Sequence, residues 1–466
     1  MFFALCAAEA GVFLSLLGLY RAATKPDMWS FFDSTPGKLF LCSCMVTLFS
    51  IGIIVHILRR SAPKDKKRVA LAISVNLVML LLTLGSSEVL ARNLSKQTAA
   101  GETLLGVLLY PKEWSQITAY YKDVLDEMVR EGSFDVYDPI LGWTVGPSRI
   151  DRTRFYFSSD EGLRSPRVGM SFADLKVRHA GDSKIDASVR IALIGDSMTY
   201  GHEVRCEESW GHALEGLLQP HVQVLNFAIS GHGLNQTLLR YEQNVRPWKP
   251  QVVIIGVSSR MVERINNIYP FLQVEWPFAS PRLVMKDDAL TAISERVPDA
   301  SEIFALRAIT ELPDLHQDDY YRAFHWKRGG MWRVLESSYI FRFAYSLRPP
   351  SDVRDEERRQ NAMQLSETVV KHLVREVLQD GAIPLVVYLP YKREIAPSTE
   401  RQLQNLPPVS ARMLQNANIK YFDPTTCLTE VKISEAYMKG NHYSPQASAQ
   451  IARCLAPALR KIVNDA

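Results

Sequence analysis

The stretch at residues 189–201, VRIALIGDSMTYG, limits the fold more than any other part of the chain. Five of its first six residues are apolar and run directly into Gly195-Asp196-Ser197, after which the spacing through Tyr200-Gly201 becomes helical. A buried central strand of an α/β sheet delivers a side chain to a helix start in this way. The strand fixes the backbone, the glycines permit a tight turn, and the helix start points free N–H groups at any oxyanion nearby, so Ser197 is a candidate nucleophile. The same residues also suit an ordinary turn in which Asp196 or Ser197 caps the helix.

Downstream, the periodicity alternates. Helices are expected at residues 208–218, 236–244, 353–380, 398–417 and 445–463, and strands at 222–227, 251–257, 383–389 and 419–422. Such alternation implies a parallel sheet covered on both faces, with ligands at the carboxyl ends of the strands beside the topological switch point. Two further segments fall at those ends. Residues 226–233, NFAISGHG, leave a strand through small residues, so the Gly231 N–H can approach a reacting carbonyl. Gly440-Asn441-His442-Tyr443-Ser444-Pro445 places His442 on a loop just ahead of the last helix.

In that order, over about 250 residues, GDSMTYG, NFAISGHG and HYSP ahead of a terminal helix resemble the SGNH (GDSL) hydrolase superfamily. That superfamily has a flavodoxin-like three-layer α/β/α fold and comprises esterases, lipases, carbohydrate deacetylases and some O-acetyltransferases. The resemblance covers residues 186–466. It implies that Ser197 is the nucleophile, that His442 is the general base, and that the N–H groups of Ser197 and Gly231 form part of an oxyanion hole.

Two departures from the family pattern stand out. Where the family has Gly-x-Asn-Asp after the third strand, this chain has Gly256-Val257-Ser258-Ser259, so Ser258, Ser259 or Arg260 is the candidate replacement donor. Asp196, Asn226, Ser258, Arg260, Arg264 and Asn266 are candidate substrate contacts. The family's Asp-x-x-His is also missing, because Lys439 stands three residues before His442. The imidazole needs an acceptor for its other ring N–H, and Asp423, Glu435 or a backbone carbonyl is the candidate.

An insertion at about residues 260–350 is rich in aromatic and basic residues, Trp276, Arg282, Tyr320, Arg322 and Trp326 among them. Aromatic faces stack on sugar rings and arginines pair with uronic acids or phosphates; a satellite core under a long loop fits equally well.

Ahead of this domain, residues 1–91 read as about three transmembrane helices, at residues 2–20, 39–58 and 69–90. The loop at residues 59–68 holds six basic residues against one Asp, a net +5, which leaves −1 for the rest of a chain whose formal charge is +4. Held in the cytoplasm, that loop puts everything after Ala91 on the opposite, periplasmic or extracellular, side. No basic face remains for nucleic acid. Residues 92–185 read as a membrane-proximal linker with short strands, including an amphipathic helix at 112–131. No Cys/His cluster has metal-ligand spacing, no cofactor motif is present, and Cys427 and Cys454 are positioned to pair in an oxidising compartment.

The expected protein is therefore a membrane-anchored serine esterase or O-acyltransferase acting on ester-linked acyl groups of cell-envelope or exported glycans through a Ser-His acyl-enzyme. Its expected partners are an acylated glycan or other ester, the lipid bilayer, and a membrane acyl-donor protein suggested by the number of apolar helices. The alternative is a catalytically degenerate glycan-binding or assembly subunit.

Overall fold

The computed structural model describes residues 63–465 except 99, 174–188, 221, 288, 348–354 and 396–406. The expected membrane helices at residues 2–20 and 39–58 and the start of the basic loop lie outside the described residues. The chain divides into two compact units, one from residues up to Ile117 with Arg322–Asp352, the other from Thr118–Tyr321 with Val353–Ala466.

The larger unit is built on a five-stranded, all-parallel sheet. Its strands are β1 (Val189–Ile194), β2 (Val222–Asn226), β3 (Val252–Val257), β4 (Ile383–Tyr388) and β5 (Tyr421–Phe422). The spatial order is 2-1-3-4-5, the flavodoxin-like order, which makes the gap between the ends of β1 and β3 the switch point. Strand periodicity of two divides the core. Ala192 and Ile194 point into one apolar cluster with Leu234, Leu238, Val370 and Leu373, while Ile191 and Leu193 point into the other with Trp210, Leu214, Ile451 and Leu455. Both faces are thus covered, as continuous apolar strands require.

The connecting helices are α1 (Ser197–Tyr200), α2 (Trp210–Leu218), α3 (Leu234–Arg240), α4 (Ser259–Arg264), α5 (Asp355–Gln379), α6 (Val409–Asn416) and α7 (Pro445–Asp465). Of the helix expected at 398–417, the part before residue 407 lies outside the described residues. Cys427 and Cys454 form a disulfide that ties the segment after β5 to α7, and Cys206 is a buried free thiol.

The smaller unit contains the helix Pro63–Leu94, a three-stranded antiparallel sheet and the helix Tyr339–Ser346. The apolar run at 69–90 is helical as expected, but among the described residues no helix is long and apolar enough to cross a membrane. Near its end Glu88 takes hydrogen bonds from the N–H groups of Tyr339 (2.9 Å) and Ile340 (3.1 Å), so a carboxylate caps the second helix there. Buried Arg342 pairs with Glu102.

The expected boundaries do not coincide with this division. Residues 118–173 belong to the sheet-bearing unit, where Trp143 and Tyr156 pack on its loops, and residues 322–352 of the insertion belong to the smaller one. Short irregular strands carry weak periodicity, which is why their membership was not visible in the sequence.

Candidate active site

Strand β1 ends at Ile194, and the next residue must turn sharply. Gly195 has φ +150°, and a Cβ there would fall 2.4 Å from Thr199 Oγ1 and 2.7 Å from the Gly256 carbonyl oxygen. Asp196 then caps α1, its Oδ1 accepting from the Met198 N–H at 3.0 Å. Ser197 therefore sits on the first turn, 6% exposed, at the carboxyl edge of the sheet. Because α1 has four residues, its macrodipole is short and contributes little to the site.

Ser197 Oγ lies 2.9 Å from His442 Nε2, across 245 residues of chain. The acceptor for the other ring nitrogen is Glu203, whose Oε2 is 2.8 Å from His442 Nδ1. Neither expected acid is there. Asp423 accepts from the Thr425 N–H (2.9 Å) and caps a turn, and Glu435 faces Lys432 at 3.8 Å. Glu203 comes instead from the turn that follows the nucleophile, at φ +68°. Its carboxylate also takes the N–H groups of Gly440 (2.8 Å) and His442 (3.3 Å). Burial works to raise the Glu203 pKa, but the hydrogen bonds from His442 and those two N–H groups outweigh it and hold the group below the ordinary carboxylate value. An ionised Glu203 fixes the proton on Nδ1 and leaves Nε2 free to accept the serine proton.

The turn carrying Glu203 is braced by aromatic residues from the segment read as linker. Tyr156 Oη accepts from the Glu203 N–H at 2.8 Å, and its ring stacks on His202 at 5.3 Å. Buried Arg164 lies over the Tyr156 and Tyr200 rings and donates to the Val204 carbonyl at 2.7 Å. His202 itself lies 4.7 Å from the His442 ring and contacts Ser230 Oγ at 3.2 Å. Burial first, then the neighbouring His442, push its pKa down to about 4, so it is neutral at pH 7.

The expected oxyanion donors are the backbone N–H groups of Ser197 and Gly231. Neither backbone N–H has a protein acceptor among the described residues, and both residues line the same cavity. Gly231 has φ +88°, and a Cβ there would sit 3.2 Å from the Trp143 ring; the Trp143 Nε1–H in turn donates to the Ser230 carbonyl at 3.2 Å. Trp143 thus holds the loop from behind.

The remaining candidates separate. Asp196 is fully buried and spent on structure, accepting from Ser258 Oγ at 2.6 Å with Arg264 Nη1 at 3.6 Å. Asn226 clamps the strand exit, donating to the Thr199 carbonyl (3.1 Å) and accepting from the Ala228 N–H (3.1 Å). Ser259 pairs with Ser410 Oγ at 3.0 Å. Asn266 donates to Asp319 at 2.9 Å, and its neighbour Asn267 lines the cavity in its place. Asp196, Asn226, Ser258 and Asn266 are not among the residues that line the cavity over Ser197; the first three are engaged by the turns' own backbone and side-chain groups. Arg260 and Arg264 do line the cavity, with Trp143, Trp276 and Tyr320. Its volume is about 420 Å³.

No family model matches the chain, and no curated protein matches it. Among solved structures, it is similar to TesA (11% identity, 59% of this chain and 99% of that one, TM-score 0.32). It is also similar to the psychrotrophic esterase EstA from Pseudoalteromonas sp. (13% identity, 59% and 98%, TM-score 0.29). A third is the acetylxylan esterase Axe2 from Geobacillus stearothermophilus (16% identity, 60% and 96%, TM-score 0.31). At scores this low the likeness says nothing about activity.

Proposed function

We propose that the protein is a serine ester hydrolase or O-acyltransferase acting on ester-linked acyl groups of glycans. The observation that carries this reading is the Ser197–His442–Glu203 chain of contacts, 2.9 Å and 2.8 Å long, beside two unsatisfied N–H groups. As His442 Nε2 takes the hydroxyl proton, Ser197 Oγ bonds to the ester carbonyl carbon, and the carbonyl oxygen becomes an oxyanion facing the Ser197 and Gly231 N–H groups. Collapse breaks the acyl C–O bond, and the departing alkoxide takes the proton from His442. Water or a sugar hydroxyl then attacks the acyl-enzyme, giving its proton to His442; the acyl C–Oγ bond breaks and Ser197 Oγ takes that proton back, which restores the free serine and the neutral imidazole. Which acceptor wins depends on how well the site excludes water.

Aromatic walls at Trp143, Trp276 and Tyr320 beside polar side chains such as Asn267 and Gln273 support a sugar-bearing substrate, which needs faces for ring stacking and partners for its hydroxyls. Arg260, exposed at the cavity with its guanidinium over Tyr391 and no carboxylate partner among the described residues, supports an acidic substituent on it. The alternative, a degenerate glycan-binding or assembly subunit, rested on two missing family residues, the asparagine after the third strand and the acid before His442; the contact of Glu203 with His442 Nδ1 at 2.8 Å weighs against the second of these grounds. Anchoring in a membrane, with the catalytic unit outside the cytoplasm and an acyl-donor protein as neighbour, is supported by the apolar runs at 39–58 and 69–90 around the +5 loop. Protease cleavage of the catalytic unit in intact cells checks that side of it.

The deciding test is a fluorophosphonate probe on the full chain. A covalent adduct on Ser197, absent in Ser197→Ala, supports the enzyme, and an unlabelled Ser197 at high probe concentration sinks it.

A further inference from the structure

A second cavity, about 540 Å³, adjoins the one over Ser197, and the two share a wall made of His202, Ser230, Glu275 and Trp276. Ser197 and His442 line only the first. The second is walled by Met128, Phe134, Tyr156 and Phe278, a surface that is mostly apolar and aromatic. Its lining also carries the charged side chains of Glu127, Asp135, Asp151, Arg152 and Glu275. Asp135, at the start of the strand Asp135–Asp138, has no hydrogen bond or ion pair among the described residues. The cations nearby are already engaged: Arg152 pairs with Glu127 (2.8 Å) and Glu131 (3.3 Å), and Arg164 serves Tyr200 and Val204. Although the residue is only partly covered, its carboxyl sits deep enough that burial pushes the pKa up to about 7.

A carboxyl that no protein group engages, on the wall of a mostly apolar cavity, is a hydrogen-bonding handle for whatever fills the space. An acyl chain would cover the aromatic walls and strand the carboxyl. A pyranose ring offers both halves, C–H faces for Phe134 and Trp276 and hydroxyls for Asp135.

We propose that the second cavity is a sugar subsite that holds the residue next to the acylated one, so that the protein acts on oligomeric rather than monomeric glycan esters. The proposal rests on the ester-transfer reading above and names the substrate class of that site.

The test uses the full chain, with Asp135→Ala to remove the hydroxyl partner and Met128→Trp to fill the space. Chemically acetylated cellotriose, glucose pentaacetate, 4-nitrophenyl acetate and 4-nitrophenyl octanoate are the probes. Both variants should lose roughly tenfold in kcat/KM on the trisaccharide, mainly through KM, while glucose pentaacetate and 4-nitrophenyl acetate stay within about twofold. Equal effects on all four probes overturn the proposal, and so does a loss confined to the octanoate, which would make the cavity an acyl-chain site. If Ser197 takes no fluorophosphonate and no ester is cleaved, the catalytic reading fails on its own. The subsite is then read by calorimetric binding of cellotriose, weakened by Met128→Trp if the proposal holds and unchanged if it does not.

Discussion

Glu203 Oε2 stands 2.8 Å from His442 Nδ1, and the same carboxylate takes the backbone N–H groups of Gly440 and His442. One side chain thus orients the imidazole and pins the loop that carries it. Glu203→Gln keeps the shape but presents an amide, which no longer fixes the proton on Nδ1. We expect kcat for ester cleavage to fall by about 10² to 10⁴, with KM little changed. Steady-state kinetics beside a thermal melt separate this from unfolding, and a variant of near-native kcat removes Glu203 from the mechanism.

Gly440 tests the same contact from the other side. A Cβ at that position would lie 2.5 Å from Glu203 Oε2 although the backbone there needs no unusual φ. Gly440→Ala is therefore expected to lower kcat/KM by at least about tenfold, and to cost little more when added to Glu203→Gln, since the two changes act on one contact. Full additivity of the two losses would contradict this.

Stability should respond to acid through Glu203. Its pKa is lowered in the folded state, so its contribution is fully present above the ordinary carboxylate value of 4.5 and is lost as the pH falls through the folded value. Denaturant melts of wild type and Glu203→Gln should differ at neutral pH and converge on acidification. A gap that widens in acid would show that the carboxylate is not held by these donors.

The Cys427–Cys454 bridge closes a loop of sequence separation 27. Loop-closure entropy predicts that Cys454→Ser costs about 3 kcal/mol in unfolding free energy. Thiol labelling of the denatured, non-reduced chain should modify neither cysteine, and modification of either shows that the bridge is absent.

The sheet could be read in advance because β1, β3 and β4 are short apolar runs bounded by turn residues, and the meeting of Ser197 with His442 could be read because each follows a strand or precedes a helix in a recognisable block. The acid could not be read that way. Glu203 lies one residue after a glycine and a histidine, without periodicity or spacing to mark it, and acquires its role only when Gly440 closes over it. Sequence offered one hint, an acidic residue six positions beyond the serine, in a chain lacking the usual Asp-x-x-His. Tyr156, Arg164 and Trp143 were visible only as an aromatic cluster among turns, because their partners lie 30 to 90 residues away. Asp196, Asn226 and Ser258, candidate substrate contacts in the sequence, are instead held by groups of the strand exits themselves and do not line the cavity.

Because Ser197 and Glu203 ride on one turn, assembling the reactive centre needs a single encounter between distant stretches of polypeptide, the arrival of His442. Until the carboxyl-terminal segment docks, the nascent chain carries a serine without a base and should be inert.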